Sequence, residues 1–186
     1  MAHIQQFRFL HFIKEILPSY FKEKKVLEVG SLDINGSVRG LFVDCDYTGI
    51  DVASGKGVDW VVNGEDFAAP ANSMDVVISC ECFEHNPEYD KTWLNMIRVL
   101  KRDGLLIFTC ATYGRAQHGT STESPESSPL TVGKGQDYYR NLVEDDFGFL
   151  MLTHFFADHF FVTQGCFGPH VPVDHAFSAV DVPFAV

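Results

Sequence analysis

Basic residues are scarce in this sequence: Lys and Arg total 14 against 25 Asp and Glu, a formal charge of −11. A surface that holds nucleic acid or an anionic membrane needs a cationic stripe to displace counterions. Neither partner is therefore expected. Cysteine pairing signals are also missing. The five cysteines (Cys45, Cys80, Cys82, Cys110 and Cys166) are odd in number and contain no C-x-x-C pair. Three of them sit in or beside apolar runs, where a free thiol behaves as a small hydrophobe. This usage suits a reducing compartment and a cytoplasmic location. No stretch has the length and apolarity of a membrane span. The opening segment MAHIQQFRFLHFIKEIL is interrupted by His3, Arg8, His11, Lys14 and Glu15, so no signal peptide is expected. A disordered composition is absent as well, with 46% hydrophobic residues and 17 Phe. The 186 residues suit one domain, with enough chain to bury a core.

What is there alternates between strand-like and helix-like patterns. Ile4, Phe7, Leu10, Ile13 and Leu17 recur at helical spacing, predicting a helix over 3–17 that Pro18 closes. Residues 25–30 (KVLEVG) form a short apolar run ending in Gly, as a doubly covered parallel strand does. A short helix is expected within 34–42, and further strands at 47–51 (YTGID), 58–62 (VDWVV) and 74–80 (MDVVISC). A helix then starts near Asn86 and Pro87, carries Tyr89, Trp93, Ile97 and Leu100 on one stripe, and ends before Gly104. Residues 105–110 (LLIFTC) read as a fifth strand. The stretch 114–136 is rich in Gly, Pro, Ser and Thr and too long for an ordinary connection. A helix over 141–152 and two late strands at 159–164 and 173–180 complete the chain. The pattern predicts an α/β fold: a Rossmann-like, doubly wound, mostly parallel seven-stranded sheet ending in an antiparallel hairpin.

Chemistry concentrates where the first strands end. Gly30 closes a strand and would let the backbone approach a ligand. Asp51 ends the next strand 21 positions later, where a carboxylate can accept two hydrogen bonds from a ribose diol. A helix after the first strand would offer free N–H groups to an anion. The dinucleotide fingerprint G-x-G-x-x-G is missing, since Leu32 stands at the second Gly position. Glu28 would repel a pyrophosphate yet welcome an amino group. That difference favours S-adenosylmethionine over NAD.

The ordered segments VLEVGS, YTGIDV, NGEDF, DVVISCECFEH and LKRDGLLIFTC resemble the motifs of a class I S-adenosylmethionine-dependent methyltransferase of the small single-domain type. The resemblance runs over about residues 25–150. It implies S-adenosylmethionine as cofactor, with Glu28 and Gly30 at its methionine end and Ser31 among its contacts. Asp51 would hold the ribose, with Val52 against the adenine. Asp66 and Phe67 would stand at the adenine edge, and Cys80 and Glu81 beside the sulfonium. The first motif departs from the usual E-x-G-x-G-x-G, reading E-V-G-S-L-D-I. His85 and His118 are candidate general bases, although His85 could equally brace the helix that follows. Asp137, Tyr138 and Arg140 could clamp the acceptor, and the stretch 114–140 could act as a lid. His154, Asp158 and His159 invite a metal reading, but the Phe residues among them suggest core, and no metal is expected.

The expected function is methyl transfer from S-adenosylmethionine to the O or N of a small or medium-sized acceptor, within a single domain spanning 1–186. Three alternatives are compatible with the sequence: a non-catalytic S-adenosylmethionine-binding module, an NAD-dependent oxidoreductase of similar sheet, and a nucleic-acid methyltransferase. The last is disfavoured by the charge and by CECF standing where an N-P-P-Y motif would be.

Overall fold

The structure is a computed structural model describing residues 4–147, 158–165 and 173–181. Helix α1 (Ile4–Ile16) runs into a 3-10 turn at Pro18–Phe21, where Pro18 bars a further α turn. Strands β1 (Lys25–Val29), β2 (Asp46–Asp51), β3 (Trp60–Val61), β4 (Met74–Cys80) and β5 (Leu100–Ala111) pair in parallel in the order β3-β2-β1-β4-β5. Helix α2 (Tyr89–Val99) crosses between β4 and β5. Beyond β5 the backbones of β6 (Asp158–Gly165) and β7 (Val173–Asp181) extend the sheet, with β7 antiparallel to both β5 and β6.

Period-two alternation along the central strands sorts their side chains onto the two faces of the sheet. Val26, Val76, Ile78, Leu105 and Ile107 pack with Leu10 and Ile13 of α1 and with Phe21, Leu41 and Phe42. Leu27, Val29, Val77, Leu106 and Phe108 pack with Trp93, Met96 and Val99 of α2. At the centre of the second face, Phe83 lies 5.5 Å from Phe108 and 5.6 Å from Phe147, ring centre to ring centre. Trp93 adds edge contacts at 5.3 and 5.4 Å to Phe108 and Phe147. Each such ring buries enough apolar surface for roughly 1.5–3 kcal/mol. The cluster therefore anchors the segment after β4, where Glu81, Glu84 and His85 lie, to the core.

Several elements differ from the sequence expectation. The helix expected within 34–42 is only a 3-10 turn at Val38–Leu41, capped by the Ser37 hydroxyl accepting from Arg39 N. Gly36 has φ +123° and its N–H donates to Asp33 Oδ1, a turn that precludes an α-helix there. The expected helix N-terminus facing an anion is thus not formed. Helix α2 starts at Tyr89 because Asn86 Oδ1 accepts from Glu88 N and holds that stretch in a turn. A 3-10 turn at Glu144–Phe147 occupies part of the helix expected over 141–152, of which 148–152 lie outside the described residues. His154 also lies outside them, and Asp158 and His159 are described only as backbone of β6. Among the described residues no helix is long and apolar enough to cross a membrane.

Candidate functional site

A cleft lies at the carboxyl ends of β1, β2 and β4. That is where ligands bind in open parallel sheets. Gly30, Leu32, Asp51, Val52, Cys80, Glu81 and His85 line it from the sheet side. Ser127, Ser128, Pro129, Leu130, Thr131 and Gln136 close it from the long segment after β5, part of which is the short helix α3 (Pro129–Gly133).

The first turn shows why Gly is required at position 30. Its φ is +79°, and a Cβ built there would lie 2.6 Å from both Cβ and Sγ of Cys82. The loops after β1 and β4 therefore touch backbone to side chain, and the N–H groups of Gly30 and Ser31 both donate to Ile50 O. Asp51 binds the same turn. Its Oδ2 accepts from Leu32 N at 3.0 Å and its Oδ1 from Val52 N at 2.7 Å. Burial pushes the Asp51 carboxyl up, and these two amides oppose it. Each oxygen keeps lone pairs beyond the one it uses. The carboxylate is thus fixed in orientation and still able to receive the two hydroxyls of a ribose.

Glu81 follows β4 in the left-handed region, φ +53°, which is costly for a side chain of this kind. Its N–H donates to Thr109 O at 2.8 Å, so the strand pairing of β5 holds the strained turn. Cys80 also lines the cleft, its thiol pushed well up by burial.

Other expected cofactor residues lie elsewhere. Glu28 and Ser31 line a second, smaller cavity behind the first turn, shared with Gln6, Ser37 and Val38. There Glu28 Oε2 accepts from Tyr47 Oη at 2.9 Å. Burial raises its carboxyl to about 7. Asp66 is exposed and accepts from Asn63 Nδ2, and Phe67 packs towards the core. The 3-10 turn Gly64–Asp66 presents Asn63, Gly64 and Glu65 to the cleft instead. Gly64 is again needed for closeness, since a Cβ there would meet Thr92 Cγ2 at 2.5 Å.

The two candidate histidines come together. The rings of His85 and His118 are 5.0 Å apart and nearly perpendicular, and both contact the Tyr139 ring. His85 lines the cleft and His118 stands behind it. Burial and His118 lower the His85 imidazolium to about 3, and burial lowers that of His118. Asp137 and Arg140 do not reach the cleft. Asp137 accepts from the N–H and hydroxyl of Ser121. Arg140 pairs with Asp146 and lies 5.6 Å over the Tyr89 ring. Tyr138 does not line the cleft and supplies backbone to His85. This segment secures the long loop against the strand ends, with Arg140 N donating to Glu84 O and Leu142 N to Ala111 O, both at 2.9 Å.

Residues 32–108 match the methyltransferase domain family. No curated protein matches the sequence. Among solved structures, phosphoethanolamine N-methyltransferase 2 of Haemonchus contortus, in complex with phosphomonomethylethanolamine and S-adenosylhomocysteine, superposes with a TM-score of 0.64 at 14% identity. The match covers 95% of this chain and 52% of that one, so the chain spans about half the length of that protein. A methyltransferase from Archaeoglobus fulgidus gives 0.60 at 13% identity, covering 94% of each chain. The 1,6-didemethyltoxoflavin N1-methyltransferase of Burkholderia thailandensis gives 0.59 at 13% identity, covering 92% of this chain and 75% of its own. The match over residues 32–108 and the shared fold make the chain similar to the S-adenosylmethionine-dependent methyltransferases.

Proposed function

We propose that this chain binds S-adenosylmethionine in the cleft at the carboxyl ends of β1, β2 and β4 and transfers its methyl group to an oxygen or nitrogen of a small or medium-sized acceptor. The observation that carries this is Asp51: a carboxylate held by two backbone amides at the lip of the Gly30 turn, with lone pairs to spare for a ribose diol. Asn63 and Glu65 stand at the far wall, where an adenine edge would meet them. Glu81 and Cys80 border the methyl-bearing end, and a carboxylate there favours a sulfonium cation.

When bound, the cofactor supplies an activated methyl carbon. The work left to the chain is to align an acceptor lone pair with that carbon and exclude water. The segment 127–136 covers the cleft opposite the sheet and is suited to act as the lid over the acceptor. His85, neutral and at the cleft wall, places the acceptor end beside the loop after β4. We also infer the complete sheet to be the seven-stranded form with a terminal antiparallel hairpin, supported by the backbone pairing of β7 with β5 and β6.

The test is methyl transfer from radiolabelled S-adenosylmethionine over a panel of hydroxylated, carboxylated, phosphorylated and amino acceptors. Label appearing in one acceptor class, and lost in Asp51→Ala, supports the reading. Cofactor binding with no transfer to any class would leave a binding module in its place.

A further inference from the structure

The loops after β4 and β5 bring three residues together that ordinary packing does not explain. Glu84 and His85 sit on the 3-10 turn Phe83–His85, held by the aromatic cluster through Phe83. His118 comes from the long segment after β5. One ligand-capable atom of each of the three lies within 4.8 Å of the other two.

The hydrogen bonds around them leave these atoms available. His118 Nδ1 bonds to Ala116 O at 3.0 Å, so its Nε2 carries the lone pair. His85 bonds to the Tyr138 backbone, while its Nδ1 is buried with no hydrogen-bond partner. Each imidazole is thus oriented by the backbone through one nitrogen with the other left unspent. That is the arrangement seen behind metal-ligating histidines, where the outer bond fixes the tautomer. Glu84 is fully buried, and neither carboxylate oxygen closes a hydrogen bond of ordinary geometry, although the Ala111 amide lies near. A buried carboxyl with no closed hydrogen bond is costly, and either a proton or a coordinated cation relieves that cost.

Gly119 provides an independent sign that the cluster is built for close approach. It has φ +63°, and a Cβ there would stand 2.6 Å from His85 Cε1 and 3.1 Å from its Nδ1. Only Gly lets the His118 backbone come this near the His85 ring.

We propose that Glu84, His85 and His118 form a binding site for a divalent transition metal of the zinc class, at the acceptor end of the cleft. Two imidazoles and a carboxylate are a zinc donor set that leaves a coordination position open. Ligands at about 2.1 Å in a tetrahedron stand roughly 3.4 Å apart, so a small inward shift of the His118 loop completes the site. Of the three, His85 lines the cleft, so the site adjoins it, and an oxygen-bearing acceptor there could reach the metal. Metal binding itself does not depend on the methyl-transfer reading; the assignment of the metal to the acceptor rests on it.

The experiment uses the full chain without a histidine tag, stripped with a chelator and titrated with Co²⁺ by visible absorption. Zn²⁺ is then added in competition with a chromogenic chelator. The expected result is one equivalent bound, with the visible bands of four- or five-coordinate Co²⁺ displaced by Zn²⁺. His118→Ala, on a surface loop, should weaken uptake at least tenfold while S-adenosylhomocysteine affinity stays unchanged. Glu84→Gln should weaken it similarly, and each variant's fold is checked by circular dichroism. No saturable uptake, or uptake that His118→Ala leaves intact, overturns the proposal. Metal uptake without S-adenosylhomocysteine binding would instead sink the methyl-transfer reading and leave the metal site standing.

Discussion

Glu28 makes a measurable demand on stability. It is 5% exposed, its one hydrogen-bonding partner among the described contacts is Tyr47 Oη, and burial moves its carboxyl from 4.5 to about 7. The folded protein therefore holds this proton more tightly than the unfolded chain does. Its contribution to stability is fully present below about pH 4.5 and is lost as pH rises through about 7. A displacement of this size is worth ~3–4 kcal/mol, at about 1.4 kcal/mol per pH unit. Glu28→Gln keeps the shape and the acceptor for Tyr47 but cannot ionise. Urea unfolding of both proteins at several pH values isolates Glu28, because every other titrating group is shared and cancels in the difference. The variant should gain on the parent steadily between pH 5 and 8, approaching ~3 kcal/mol at the upper end. Parallel stability curves across that range would refute the claim that this carboxylate is buried and weakly compensated.

Gly30→Ala should keep the sheet but abolish S-adenosylhomocysteine binding, since φ +79° is strained for Ala and its Cβ would collide with Cys82; circular dichroism with calorimetric titration checks both halves. Asp51→Ala should weaken binding by ~1.5–3 kcal/mol, the worth of hydrogen bonds to a charged group, and should loosen the turn it holds through Leu32 N. Hydrogen exchange at Leu32 would report the second effect. Phe147→Ala removes a 2% exposed ring from the Phe83–Trp93–Phe108 cluster and should cost about 3–5 kcal/mol in chemical unfolding.

The parallel strands were legible in the sequence because covered strands are apolar on both faces, and β4 appears over the same residues, Met74–Cys80, as its composition suggests. Gly30 and Asp51 were legible too, since a strand-end glycine and a strand-end acid sit where the fold puts its ligands. The turns were not. Asp66 points outward and Asn63 and Glu65 inward because the 3-10 turn between them rotates the chain, which residue identity does not reveal. Glu28 carries the same acid in the motif but lies behind the turn, because alternation along β1 sends it to the α1 face. Asp137 and Arg140 looked available only because their partners, Ser121 and Asp146, were unknown until the loop was folded. The Glu84–His85–His118 grouping is likewise a tertiary event, joining loops after two different strands.

The most direct measurement is calorimetric titration of the full chain with S-adenosylhomocysteine, alongside NAD and the Asp51→Ala variant. The cleft at the ends of β1, β2 and β4 predicts saturable one-to-one binding of S-adenosylhomocysteine, weakened in the variant and absent for NAD. No heat with S-adenosylhomocysteine at millimolar concentration, or equal binding by Asp51→Ala, would contradict the assignment of this cleft to the cofactor.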